Sequence, residues 1–527
     1  MSEAHLKMKV LTLFVFAFGI FLLTFKLTQI PPGIDTDEGS IAYNAALISE
    51  TLHDRNGRTL PFFILSADKN DWKQPVLVYS SAVFFKFFGT SLVTFKLVNI
   101  IIAILTIILL FYLMKEIFPY GFAVLGVLIF FTTPAVIITS RIGNESVDPI
   151  LFSTVWLLAL YKFQSKRQIK YLILAAFSLG LGFYSFKGMR VIVPVWILIS
   201  TLFIVWQYIK NSHLYSSLLN QKSSTQKIYK KILSLMRINF TNKNLIKSLI
   251  VFFVTLVPFF IIIPLLEQKY AGAVFDRKTI NMDPFRHYLY YWISNLSLPS
   301  LFFKGDIGKI YEMPLYGFFS LGVLPAFLIG IVESFKNRKF YLFILVCYLA
   351  TPLLFGFAGS LDYPHRLMAS VPFFVIITTL GCKRIYEYVK LNSETTIYRI
   401  VYKLVTLFVV IFFIYNFADF SRYYYFEYPK LHSTRQAFGN DLNASFYQLS
   451  KIAKEKNLTA YIQEDIYTRG VEGNKFFEIA YFDKPLKLWR LGETLPPKSV
   501  LLTQNEHITD SENSGIIVTP LNILIRY

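Results

Sequence analysis

Apolar runs of membrane-spanning length recur along most of the chain, separated by short polar loops. The pattern predicts an all-α polytopic membrane protein. The runs cover residues 10–30, 92–114, 120–140, 148–164, 170–186, 190–208, 248–266, 313–332, 340–358, 366–382 and 401–419. That makes about eleven spans, each judged against the roughly 20 residues needed to cross hydrocarbon. The first run follows Lys7 and Lys9 with no small-residue cleavage site, so it reads as an uncleaved first helix.

The loops alternate in charge. One set holds Lys166 and Arg167, then Lys336, Arg338 and Lys339, then Lys383 and Arg384. Its longest member, 209–247, carries Lys210, Lys222, Lys227, Lys230, Lys231, Arg237, Lys243 and Lys247 and no acid. The opposite set begins with the loop 31–75, rich in acids: Asp35, Asp37, Glu38, Glu50, Asp54, Asp68 and Asp71. Positive charge collects on the cytoplasmic side. The expected topology is therefore a multi-pass plasma-membrane protein with a cytoplasmic N-terminus and an extracytoplasmic C-terminus.

Two segments break the pattern. Residues 75–88 are apolar but short for a span, contain Lys86 and end at Gly89, which predicts a helix lying on the outer membrane surface. After Tyr428-Pro429 the composition becomes mixed, with short β-like runs at 460–463, 500–503 and 515–518 and helical spacing over 442–454. The expected organisation is a transmembrane domain over 1–429 and a small extracytoplasmic α/β domain over 430–527.

Composition agrees. Of 527 residues, 54% are hydrophobic, 17% aromatic and only 16% charged, below the roughly 25% charged of soluble domains. The net charge of +20 would suggest nucleic acid in a soluble protein. Here the basic residues sit between apolar runs and no nucleic-acid-reading module is visible, so the charge is assigned to membrane orientation. Cys347 and Cys382 both fall inside apolar runs, which argues against a disulfide framework or a cysteine metal site.

Five segments on the expected outer side could carry chemistry. The densest, Pro31-Pro32-Gly33-Ile34-Asp35-Thr36-Asp37-Glu38-Gly39-Ser40, follows the first span. Three carboxylates at a lipid–water boundary fit a general base or a metal site; they fit equally a turn that caps the next helix. In Asp71-Trp72-Lys73-Gln74-Pro75, Lys73 could meet a phosphate or simply snorkel. In Ser140-Arg141-Ile142-Gly143-Asn144-Glu145-Ser146-Val147-Asp148-Pro149, Arg141, Glu145 and Asp148 lie close to the apolar phase, used or mutually paired. Lys187-Gly188-Met189-Arg190 and Asp362-Tyr363-Pro364-His365-Arg366 are basic against the charge rule. An anion on that face, such as a phosphate headgroup, would explain them; bound structural lipid would too. Carboxylates and cations at one membrane depth suit a lipid-linked phosphate substrate.

The Asp37-Glu38 pair in the first outer loop resembles the signature of the GT-C glycosyltransferases. The resemblance is closer to bacterial relatives of protein O-mannosyltransferases and of lipid A aminoarabinose transferase. It rests on Pro31 to Glu38, on Tyr43-Asn44-Ala45, on Lys73-Gln74-Pro75 opening a helix that ends in Phe88-Gly89, on Asp148-Pro149, and on His365-Arg366-Leu367. It spans roughly residues 8–430. It implies a sugar donor on a polyprenyl phosphate and inverting transfer to an acceptor hydroxyl on protein, lipid or glycan. Asp37 is then the general base, with Glu38 and Asp148 also at the catalytic centre. Lys73, Arg190 and Arg366, backed by Lys187, His365 and Arg141, hold the donor phosphate. Asp35, Glu145 and Tyr43 are expected around the acceptor, and the extra acid at Asp35 leaves open which of Asp35 and Asp37 is the base. No metal-ligand set is predicted, and a divalent cation is neither required nor excluded. The competing readings are a transporter or flippase, which should place ionisable groups near mid-membrane in paired halves, and a polymerase or ligase acting on lipid-linked oligosaccharide.

Overall fold

The computed structural model describes residues 3–66, 71–210, 242–275, 285–304, 313, 316–336, 340–358, 364–391, 396–439, 441–504, 513–518 and 521–526. The basic stretch 211–241 lies outside these, as do Asp68, Arg338, Lys339, Asp362 and Tyr363.

Among the described residues, seven helices are long and apolar enough to cross a membrane, or eight if the pair Tyr120–Phe131 and Pro134–Ser140, bent by 58°, is one span. The seven are Leu6–Thr24, Leu92–Ile117, Glu145–Lys166, Met189–Ile209, Lys243–Lys269, His365–Lys390 and Lys403–Lys430. The bend in the pair falls at Thr133-Pro134, where proline cannot continue a helix. The remaining expected spans coincide with shorter helices at Lys170–Phe183, Leu324–Lys336 and Phe340–Ala350. The expected short helix is present as Pro75–Phe88. Proline occupies its first turn, Gly89 ends it at φ +80°, and Leu77, Val78, Ser81, Ala82 and Phe85 are its buried face.

Two packing features bear on the site. Trp156 and Trp196 stack at 4.7 Å, and the Trp156 indole N–H donates to Ser200 Oγ at 3.0 Å. They tie together the helices Asp148–Lys166 and Met189–Lys210, the first entered just after Glu145 and the second carrying Arg190 in its first turn. Elsewhere, a Cβ on Gly330 would lie 1.9 Å from the Ile377 carbonyl oxygen, and one on Gly381 would lie 1.7 Å from that of Ala326. The helices Leu324–Lys336 and Val371–Leu391 therefore cross backbone to backbone, as small residues permit in membranes.

The C-terminal part holds a five-stranded sheet. A two-stranded ribbon comes earlier in the chain: β1 (Ile64–Leu65) pairs antiparallel with β2 (Trp72–Lys73). The larger sheet comprises β3 (Thr459–Gln463), β4 (Lys487–Trp489), β5 (Ser499–Thr503), β6 (Asn513–Val518) and β7 (Leu521–Arg526), in the order β4-β3-β5-β7-β6. β3 runs parallel to both β4 and β5, while β7 is antiparallel to β5 and β6. The helix Leu442–Glu455 buries Phe446, Leu449, Ile452 and Ala453 on one face.

This sheet region is docked onto the first loop. The helix Val471–Tyr481 lies on Thr36–Thr51 so closely that a Cβ on Gly39 would be 2.9 Å from the Gly473 backbone. Arg55 Nη1 meets Glu472 Oε1 at 2.6 Å, and the Phe476 ring packs on Phe85 and Phe95 at 5.9 Å from each. The first loop and the C-terminal sheet thus share one end of the bundle.

Candidate active site

A cavity of about 850 Å³ opens at that end, within the usual range of ligand sites. Its charged lining residues are Asp37, Asp71, Lys73, Glu145, Lys187, Arg190, His365, Arg366 and Glu472. Most sit at or just before a helix start. Asp37 is in the first turn of Thr36–Thr51; Lys73 precedes Pro75–Phe88; Glu145 precedes Asp148–Lys166; Lys187 and Arg190 flank the start of Met189–Lys210. His365 and Arg366 lie in the turn Pro364–Ser370 that enters Val371–Leu391. Helix N-termini carry partial positive charge. Several of them stand beside a lining that combines four Lys or Arg side chains with four carboxylates.

Lys73 is the centre of a charge relay. Its Nζ lies 2.5 Å from Asp37 Oδ1 and 2.6 Å from Asp71 Oδ2. Asp71 in turn accepts from Lys187 Nζ. Burial disfavours the ionised form of Asp71, but the charges of Lys73 and Lys187 and their hydrogen bonds outweigh it and hold the carboxyl down at about 2. Burial likewise works against the Lys73 ammonium, yet Asp37, Asp71 and Glu145 raise its pKa above the usual lysine value. Glu145 accepts the backbone N–H of Gln74, which fixes the strand-to-helix junction behind Lys73. The Gln74 side chain accepts from Arg190 Nη2 at 2.6 Å, while Arg190 Nη1 donates to the Val274 carbonyl at 3.1 Å.

The three carboxylates of the first loop separate into different roles. Asp35 is the N-cap of Thr36–Thr51: its Oδ1 accepts from the Glu38 N–H at 2.8 Å, and Glu38 Oε2 accepts from the Asp35 N–H at 3.0 Å. This is the capping option read in the sequence, but buried rather than solvated, with Asp35 at 4% and Glu38 at 0% exposure. Glu38 also accepts from the Gly143 N–H. Burial first, then repulsion from Glu38 and Asp37, pushes the Asp35 carboxyl well above the usual range; burial raises Glu38 too, against the nearby charge of Lys96. Asp37, with its side chain 53% exposed, is the one of the three that lines the cavity.

The structure gathers Asp37, Lys73, Glu145, Lys187, Arg190, His365 and Arg366 around one cavity. It does not bring the other expected residues there. Glu38 is sealed beneath the helix turn, so it positions rather than contacts a ligand. Arg141 is fully buried and donates to the carbonyls of Leu22, Leu23, Phe25 and Ile30, so it staples the end of the first helix instead of holding phosphate. Asp148 is buried behind the wall at 1% exposure. Tyr43 faces the C-terminal region, with the Lys475 ammonium 5.6 Å from its ring centroid, a cation–π distance. Asp35 stands at a second cavity rather than this one.

Sequence reasoning missed Asp71, Gln74 and Glu472. The first two stand beside Lys73 in a segment already singled out, and the acid–Trp–Lys spacing was the available signal. Glu472 lies some four hundred residues from Asp37 in sequence and carried none. Among the described residues no three His, Cys, Asp or Glu side chains converge as metal ligands.

Comparison with known proteins agrees with this picture. Residues 72–220 match the family described as dolichyl-phosphate-mannose-protein mannosyltransferase. Two solved structures share the fold at 11% identity. The apo ArnT of Cupriavidus metallidurans aligns with a TM-score of 0.51 over 92% of this chain and 86% of that one. The same enzyme bound to undecaprenyl phosphate aligns with a TM-score of 0.50 over 97% of each chain. No curated protein matches the chain. The fold is that of a multi-pass membrane protein and is GT-C-like, as in ArnT. The family match covers under a third of the chain, so residues 72–220 resemble the mannosyltransferases and the chain as a whole resembles ArnT in fold.

Proposed function

We propose that the protein moves a sugar from a polyprenyl-phosphate donor to an acceptor hydroxyl, with inversion, and that Asp37 is the general base. The observation that carries this is the contrast within one turn of helix: Asp37 faces the cavity paired with Lys73, while Asp35 and Glu38 are buried against backbone. The ArnT structure with undecaprenyl phosphate bound supports the donor class.

In this reading the donor phosphate enters among Lys73, Arg190 and Arg366, with Lys187 and His365 beside them. Lys73 turns from Asp37 toward the phosphate, which frees the Asp37 carboxylate. The acceptor oxygen attacks the anomeric carbon as its proton passes to Asp37. The bond from that carbon to the phosphate oxygen breaks, and the cations stabilise the charge that develops there. The gathering of ionisable groups at one end of the bundle favours this enzyme over a transporter with mid-membrane sites. We further read residues 430–527 as an extracytoplasmic domain and the site as facing the outside of a plasma membrane.

The test uses purified protein in lipid nanodiscs with radiolabelled undecaprenyl-phosphate sugars. Sugar release from lipid should fall at least about a hundredfold in Asp37→Asn, the usual range for a lost general base. Well-folded wild type that neither binds nor cleaves such a donor would overturn the proposal.

A further inference from the structure

A second cavity, of about 570 Å³, lies between the first loop and the C-terminal sheet. The site described above does not use it, yet the two cavities share two wall residues, Thr36 and Glu472. Thr36 immediately precedes Asp37. The second cavity therefore adjoins the wall that carries the candidate base.

Its position in the sheet is that of a ligand crevice. β3 has parallel neighbours on both sides, β4 on one and β5 on the other. Chain order therefore reverses at β3, and in open α/β sheets such switch points bind ligands beyond the carboxyl ends of the strands. The residues that follow those ends line the cavity: Thr468, Arg469 and Gly470 at the end of the helix after β3, and Gln504 directly after β5. Arg469 Nη1 donates to Gln504 Oε1 at 3.2 Å across this mouth. On the opposite wall, Asp35 is 4% exposed and its Oδ2 has no hydrogen-bond partner among the described residues, because the capping bond uses only Oδ1. A buried polar atom without a partner costs free energy unless something supplies one.

We propose that this crevice binds a glycan acceptor and delivers its hydroxyl across Thr36 to Asp37. The inference rests on the transferase reading above and adds the acceptor class. The lining favours a neutral, hydroxyl-rich molecule. Gln436, Thr468, Asn474 and Gln504 bring amides and a hydroxyl, and Asp35 offers its unpartnered Oδ2, which burial biases toward the O–H form, to a sugar oxygen. Phe477, Leu442 and Leu521 give the apolar surface against which sugar C–H faces pack. Among the described residues Arg469 is the single cation in the lining, and Glu472 is already paired with Arg55, so the lining has no cluster of cations to hold a phosphorylated acceptor.

The test reads binding directly, with full-length protein in nanodiscs and ligand-observed NMR. The probes are maltotriose, chitotriose and a serine- and threonine-containing nonapeptide; undecaprenyl phosphate binding is measured in parallel. Gly470→Trp fills the crevice, and Gly470 has room, since an added Cβ would meet only Asn474 Nδ2 at 3.6 Å. The paired Arg469→Ala and Gln504→Ala change removes mouth contacts without adding bulk. The expected result is a trisaccharide signal in wild type that falls at least fivefold in both variants, with undecaprenyl phosphate binding unchanged. Retained undecaprenyl phosphate binding shows that the variants are folded. The proposal is overturned if neither trisaccharide binds wild type, if both variants bind it as well as wild type, or if the peptide alone binds and is displaced by Gly470→Trp. Absence of undecaprenyl phosphate binding in wild type would sink the donor reading, while the trisaccharide signal, with folding then judged from thermal unfolding, still decides the crevice.

Discussion

The ammonium of Lys73 lies 2.5 Å from the Asp37 carboxylate and, on its other side, 2.6 Å from that of Asp71. One buried cation thus joins the candidate base to a second carboxylate, itself held by Lys187. Lys73→Met should leave Asp37 and Asp71 without their shared partner and remove a phosphate ligand at once. Turnover of a polyprenyl-phosphate sugar should fall by about two to three orders of magnitude, the range for deleting a preorganised charge-stabilising donor. Steady-state kinetics in nanodiscs would check this; a loss below about tenfold would remove Lys73 from the machinery.

Asp35 and Asp37 should respond differently to the same change. Asn at position 35 keeps the cap acceptor and imitates the protonated acid, so Asp35→Asn should retain activity within a few-fold. Its stability should depend on pH with a defined sign. A carboxyl whose folded pKa is raised contributes stability that is present at low pH and lost as pH rises through the folded value. The melting temperature of Asp35→Asn should therefore match wild type near about pH 4, the ordinary carboxyl value, and exceed it increasingly at higher pH. Asp35→Ala, which deletes the cap, should instead lose about 0.5–2 kcal/mol.

Asp71 has the opposite sign. Held at about 2 against an ordinary 3.8, it contributes stability that is present above the ordinary value and lost as pH falls toward about 2. The full contribution is on the order of 2 kcal/mol. Asp71→Asn should show a melting-temperature deficit that is flat well above about pH 4 and shrinks as acid titrates the wild type. A deficit independent of pH throughout would mean that packing, not charge, is what Asp71 supplies.

Arg190 and Arg366 should act on donor affinity. A hydrogen bond to a charged group contributes about 1.5–3 kcal/mol, so either Arg→Ala change should weaken undecaprenyl phosphate binding by roughly 10- to 100-fold. Arg190→Lys should restore little, because Arg190 also bridges Gln74 and Val274 through two nitrogens. Isothermal titration in nanodiscs would measure both.

Arg141 should not behave like those two. Its guanidinium satisfies the carbonyls of Leu22, Leu23, Phe25 and Ile30. Arg141→Ala leaves buried acceptors unpaired, each at about 1–3 kcal/mol. The expected outcome is poor yield and a lowered melting temperature, with donor affinity of the surviving protein unchanged.

The chain's own pattern determined the class of molecule. Apolar runs with few charges need lipid, and that is a property of local composition; so are the helix Pro75–Phe88 with its Gly89 stop and the change to β-like runs after Pro429. The residues that bring charge to the site were also legible one by one, because an ionisable group beside an apolar run needs a reason. What the sequence left open was which of them face the same space. Asp35, Asp37 and Glu38 stand within four positions of each other, and linear order cannot say which points into a cavity. The turn of the helix does: a capping box takes the first and last of the three and leaves the middle one to face the cavity and Lys73. Likewise Arg141 and Arg190 look equivalent as basic residues, and only packing sends one into backbone carbonyls and the other to Gln74 at the cavity. Glu472 and the crevice beside it come from the docking of Val471–Tyr481 on Thr36–Thr51, a contact across more than four hundred residues in which Gly39 lets the backbone at Gly473 approach. Long-range juxtapositions of this kind are set by the shape of the whole fold, and no local spacing encodes them.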